Sequence, residues 1–111
     1  PLYVLAYGAL RSGCRLHHVI RGATREGLSG KTVRDCFRFD ADTDLGASIV
    51  GEDDLRGGGA LAGEVYRVSP GLLMRLDGIE RPLRRNLEYV KIESDSGIDR
   101  VLLAWVYLHP S

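Results

Sequence analysis

Residues 2–7, Leu2-Tyr3-Val4-Leu5-Ala6-Tyr7, are apolar without a break and end at Gly8. A run of this length, rich in aromatic and β-branched residues, predicts a strand buried on both faces. No other segment limits the fold as much, because a strand with no solvated side needs protein on both sides of its sheet.

The remaining pattern is mostly strand. Arg11 to Arg21 is short and mixed, and predicts one or two helical turns around Leu16, Val19 and Ile20. From Gly27 to Asp40 apolar residues come in bursts, at Leu28, Val33, Cys36, Phe37 and Phe39, which suggests strands with bends. Asp40 to Gly59 reads as a long loop interrupted by a short strand at Ala47–Val50. Loops of that length often lie near sites. Ala60–Val68 predicts a strand. Ser69-Pro70 reads as an N-cap and first helical residue, opening a helix to about Glu80. Leu87–Glu93 and Arg100–Leu108 predict a hairpin across the Ser94-Asp95-Ser96-Gly97 turn. All the pairings suggested are antiparallel. The sum is a single α+β domain over residues 1–111, built on a small, curved sheet, open or closed, with one or two short helices.

Bulk properties exclude several classes. Fifteen cations balance fifteen anions, so the chain lacks the basic excess of a nucleic-acid binder or an electrostatic membrane binder. No apolar run approaches the roughly 20 residues of a membrane helix, and no signal-peptide pattern opens the chain. Two cysteines, Cys14 and Cys36, make no disulfide framework, and a cytoplasmic protein with reduced thiols is expected, the alternative being a single Cys14–Cys36 bridge.

The 69–80 helix carries the most informative geometry. At about 100° per residue from Leu72, Leu76 lies at about 40°, Leu73 at about 100° and Ile79 at about 340°. Glu80, at about 80°, falls inside this apolar arc, and Asp77, at about 140°, at its edge. A carboxylate on a buried face is costly unless paired or protonated, and desolvation raises its pKa toward the range a general acid/base needs. The alternative is a helix that frays at Gly78 and leaves Glu80 in solvent, paired with Arg84. The turn after the first strand also has two readings. Gly8 either makes a simple turn, or lets consecutive N–H groups form a nest for an anion. Neither phosphate-loop pattern is present.

Four segments in order carry a resemblance: Tyr3-Val4-Leu5-Ala6-Tyr7-Gly8-Ala9-Leu10-Arg11; Gly63-Glu64-Val65-Tyr66-Arg67-Val68; Leu73-x-x-Leu76-Asp77-x-x-Glu80; and Ala104-Trp105-Val106-Tyr107. Together they resemble the γ-glutamylcyclotransferase-like family over almost the whole chain. The resemblance implies a compact mixed, mostly antiparallel β-barrel with the site at its mouth. It implies substrate binding by the turn Tyr7, Gly8, Ala9 and Leu10, with Glu80 as catalytic acid/base. The implied reaction cyclises a γ-glutamyl amine or amino acid to 5-oxoproline and releases the amine. No cofactor or metal is required, and the partner is a small molecule, with neither nucleic acid nor membrane. A monomer or homodimer is expected. The alternative is a non-catalytic member that binds a small ligand or a protein. Ala9 stands where the family has Ser or Thr, which removes a hydroxyl but not a backbone cradle. Arg81 stands where Gly often follows the glutamate.

Other candidates have weaker grounds. His17 and His18 are adjacent and diverge on a helix, so with His109 they are not expected to form a zinc site. Asp40, Asp42 and Asp44 lack the pattern of a calcium loop. Cys14 has no evident base partner. Tyr66, Trp105 and Tyr107 read as core, the alternative being that Tyr66 or Tyr107 lines the pocket. Arg81, Arg84 and Arg85 read as a solvated basic face, the alternative being that one binds a substrate carboxylate or tunes Glu80.

Overall fold

The first strand, β1 (Leu2–Ala6), is buried on both sides as its composition requires. Alternation sends Leu5 and Tyr7 one way and Val4 and Ala6 the other. Leu5 and Tyr7 join a cluster with Val65, Val90, Ile92, Ala104 and Val106. Val4 and Ala6 join a second cluster, with Leu10, Ile20, Leu73, Leu76 and Tyr107. These two cores, one within the barrel and one between its wall and the helices, account for the unbroken apolar run. The structure is a computed structural model that describes residues 1–8, 10–14, 17–40, 46–50 and 57–110.

A one-turn helix, α1 (His17–Ile20), follows β1. Then come β2 (Thr24–Thr32), β3 (Phe37–Arg38), β4 (Ser48–Ile49), β5 (Ala62–Val68), helix α2 (Pro70–Ile79), β6 (Arg84–Glu93) and β7 (Arg100–Leu108). Five strands close a barrel in the order β1-β5-β2-β6-β7, and β3 and β4 form a separate two-stranded ribbon. The fold class is the expected one, a mixed, mostly antiparallel barrel with two short helices.

The antiparallel expectation fails at one place. β1 and β7 pair in parallel, with Val4 opposite Trp105. The other four barrel pairs are antiparallel. Directions must alternate around those four pairs, so an odd number of strands leaves the closing pair parallel.

Two boundaries also move. β6 begins at Arg84 rather than Leu87, because Arg84, Arg85 and Asn86 pair with Leu108, Tyr107 and Val106. β2 begins at Thr24 rather than Gly27. Its opening residues Thr24, Arg25 and Glu26 are polar but pair with Arg67, Tyr66 and Val65 of β5. Charges then lace it in place: Glu26 reaches Arg100 at 2.5 Å and Arg67 at 3.6 Å. The ladder shifts register between Glu26 and Gly30.

Helix α2 starts as expected, with the Ser69 hydroxyl accepting the Leu72 N–H at 3.1 Å. It does not fray at Gly78, since the Glu80 N–H bonds the Leu76 carbonyl at 2.9 Å. Its buried face is narrower than the predicted arc. Leu73 and Leu76 are buried, Leu72 is half-buried and Ile79 is exposed. The buried direction therefore lies at about 70°, midway between Leu76 and Leu73 and within about 10° of Glu80.

Cys14 and Cys36 are free thiols. No helix among the described residues is long and apolar enough to cross a membrane. Asp42, Asp44, Asp53 and Asp54 of the long loop lie outside the described residues, as do Leu16 and Ala9.

Candidate active site

The end of β1 leads into the turn singled out in the sequence. At this crossing Gly63 of β5 lies against β1. A Cβ at position 63 would sit 2.1 Å from the Ala6 carbonyl oxygen and 2.9 Å from the Tyr7 Cα, so only glycine lets the two backbones approach this closely. The Tyr7 ring turns into the barrel and meets Phe39 edge-on, with centroids 5.0 Å apart. Its hydroxyl donates to the Tyr107 carbonyl and accepts the Ala47 N–H at 2.7 Å. What Tyr7 offers a ligand at the turn is therefore backbone.

Beyond Tyr7 the chain turns, with the Arg11 N–H bonding the Gly8 carbonyl at 3.0 Å. Leu10 points back into the core with Leu73 and Leu76 of α2, and is 4% exposed. Its carbonyl meets His17 Nδ1 at 2.9 Å. The Ser12 N–H donates to Glu64 Oε1 at 2.5 Å. The turn is thus fastened to both helices and to the barrel wall.

Glu80 is the C-cap of α2, half-buried, with its carbonyl accepting the Leu83 N–H at 2.8 Å. One turn earlier, Asp77 takes the Tyr107 hydroxyl at 2.8 Å and the Arg85 Nε at 2.9 Å. Arg85 in turn lies over the Trp105 ring, 4.6 Å from its centroid. The Tyr107 phenol is pushed well above its ordinary pKa. Burial is the main cause, then its bond to Asp77 and that residue's charge. Arg85 opposes the shift and Glu80 adds to it. Glu80, Asp77 and Tyr107 therefore share one electrostatic neighbourhood.

Tyr107 is bonded at both ends. Its carbonyl accepts from the Tyr7 hydroxyl, while its hydroxyl donates to Asp77, one turn before Glu80. The structure thus ties Tyr7, through Tyr107, to the last turn of α2, and packs Leu10 against the same helix. It also corrects the view of Arg85 as a solvated cation, because Arg85 is half-buried and paired with Asp77, while Arg81 and Arg84 are exposed. Sequence reasoning placed Tyr107 in the core first, with pocket lining as the alternative, and gave no role to Asp77 or Glu64. The available signals were Asp77's place beside Glu80 on the helical wheel, and a carboxylate at position 64 within an apolar strand.

A second buried carboxylate, Glu88, takes Arg34 in a bidentate pair at 2.8 and 2.6 Å and the Asn86 amide at 2.5 Å. A groove of about 410 Å³ beside β3 is lined by Phe37, Arg38, Phe39 and residues 57–62. Among the described residues, no three His, Cys, Asp or Glu side chains come together in a way that could hold a metal.

A family model described as gamma-glutamyl cyclotransferase, AIG2-like, matches residues 4–111. Among solved structures, an AIG2-like protein of Mus musculus is 22% identical with a TM-score of 0.73, covering 97% of this chain and 76% of its own. Protein PH0828 of Pyrococcus horikoshii is 23% identical with a TM-score of 0.66, covering 100% of this chain and 80% of its own. YkqA of Bacillus subtilis is 22% identical with a TM-score of 0.66, and the match covers 95% of this chain but 35% of YkqA. No curated protein sequence matches. At these identities the solved structures speak for the fold alone, and the match to the family model extends over nearly all of the chain. The chain belongs to the AIG2-like gamma-glutamyl cyclotransferase family.

Proposed function

We propose that the protein is a γ-glutamylcyclotransferase that converts a γ-glutamyl amine or amino acid into 5-oxoproline. The observation that carries this is the double use of Tyr107, whose carbonyl accepts from the Tyr7 hydroxyl and whose hydroxyl donates to Asp77, three residues before Glu80.

A γ-glutamyl compound carries its own nucleophile, the α-amine. Attack of that nitrogen on the γ-carbonyl carbon closes a five-membered ring. The bond from that carbon to the leaving nitrogen then breaks. Holding the folded conformer supplies much of the rate, because the reaction becomes a positioned intramolecular step. Backbone N–H groups of the Tyr7–Leu10 turn anchor the substrate α-carboxylate, an arrangement that survives the loss of a hydroxyl at Ala9. Glu80, ionised, takes a proton from the attacking amine and delivers it to the departing nitrogen. With two free thiols, a cytoplasmic setting fits this assignment.

The test is incubation of purified protein with a panel of γ-glutamyl amino acids and γ-glutamylamines, with 5-oxoproline as the product measured. Release of 5-oxoproline from one class of substrate supports the assignment and defines the leaving group. Ligand-induced thermal shifts without any product would favour a member that only binds.

A further inference from the structure

We propose that Glu64 is a positioning residue for the substrate-binding turn, acting through the backbone of Ser12. The proposal rests on the assignment of that turn to substrate binding made above.

Glu64 stands on β5 opposite Ala6, on the last described rung before β1 becomes the turn. It is 9% exposed. Burial of a carboxylate is costly unless its oxygens find partners, and here each does. Oε1 takes the Ser12 N–H at 2.5 Å. Oε2 takes the Tyr66 hydroxyl at 2.9 Å and pairs with Arg25 Nη1 at 3.1 Å. Tyr66 answers electrostatically. Its phenol is pushed up to about 12, mainly by burial and next by donating to Glu64.

Among the described residues, the other backbone bonds of the turn are local. Arg11 bonds Gly8 and Cys14 bonds Arg11, three residues apart in each case. Such bonds shape a turn without fixing it to the sheet. Leu10 anchors it by packing, which has no direction, and His17 holds a carbonyl. Glu64 instead holds an N–H, across 52 residues of sequence and with a charged acceptor. A bond of that kind is shorter and stronger than a neutral one. An anion nest works only if its N–H groups converge, so the bond that sets the direction of one N–H also sets the aim of its neighbours. The pairing with Arg25 offsets the repulsion that a bare carboxylate beside an anion cradle would exert on an anionic substrate.

The test compares Glu64→Ala and Glu64→Gln by steady-state kinetics and by hydrogen exchange of the Leu10, Arg11 and Ser12 amides. Gln keeps an oxygen acceptor for Ser12. Anchoring of the α-carboxylate is felt equally in ground and transition states, so Ala should raise KM by about tenfold or more with kcat within about threefold. Gln should return KM to within about threefold of wild type. Exchange at Ser12 should quicken at least about tenfold in Ala and stay near wild type in Gln. An unchanged KM in Ala, or a KM raised alike in both variants, overturns the proposal. Should Ala fail to fold, Gln decides, and a KM raised about tenfold there overturns it. Should wild type release no 5-oxoproline, the cyclotransferase assignment fails by itself. Unchanged Ser12 exchange in Glu64→Ala then overturns the anchor independently.

Discussion

Asp77 and Glu80 occupy the same turn of helix but different surroundings. Asp77 is held by the Tyr107 hydroxyl and by Arg85, both on Oδ1, so that oxygen serves structural bonds. Glu80 follows at the cap, which is why the proton chemistry is assigned to it. Tyr107→Phe tests the link between them. The ring and the carbonyl that holds Tyr7 remain, while the donor to Asp77 is lost. Leaving Asp77 with one partner fewer should cost about 1 kcal/mol of stability. If Tyr107 positions the Glu80 turn, kcat should fall by more than KM rises, read in a single kinetic series. Glu80's place on the buried side of α2 was legible in the sequence because helix geometry is periodic, so a carboxylate on an apolar arc stands out. Tyr107 was not, because its partners lie 30 and 100 residues away and a buried tyrosine between apolar neighbours looks like packing.

At the level of elements, β1 and α2 could be read directly. An unbroken apolar run fixes the first, and a Ser-Pro cap with 3.6-residue spacing fixes the second. β2 and the start of β6 could not, since Thr24-Arg25-Glu26 and Arg84-Arg85-Asn86 are held by ladder pairing and ion pairs rather than by apolar alternation. The β1–β5 crossing carries the sharpest prediction. Gly63→Ala drives a methyl into the Ala6 carbonyl, and backbone on both sides leaves little room to yield. We expect a loss of about 2–4 kcal/mol by urea denaturation, because the strands must separate at that rung. A substitution within about 0.5 kcal/mol of wild type would mean that the strands are not so close there.

For the whole molecule, the parallel sense of the closing pair follows from strand count once the antiparallel pairs are known, while no single segment announces closure itself. The paired tyrosines of the outer core have a consequence for pH. Tyr66 and Tyr107 both lose their protons less readily in the folded chain than in the unfolded one, with burial as the first cause. Above about pH 10 the unfolded chain sheds phenolic protons while the folded chain keeps them, so stability falls as pH rises. Full stability below that point should give way as pH climbs toward about 12, the value to which Tyr66 is pushed. Urea midpoints taken from pH 8 to pH 11.5 should decline beyond about pH 10, and Tyr66→Phe should flatten the slope. A flat profile in the wild type would contradict the burial of the two hydroxyls.

The central claim is that Glu80 moves the proton in a cyclisation. The measurement that reaches it most directly is 5-oxoproline release by wild type and Glu80→Gln, at saturating substrate and equal folded concentration. Gln keeps the size of the side chain and one oxygen acceptor but cannot accept the proton. The account predicts a fall in kcat of about 10²–10⁴-fold with Tm and substrate affinity nearly unchanged. A Gln variant that turns over at the wild-type rate would contradict it.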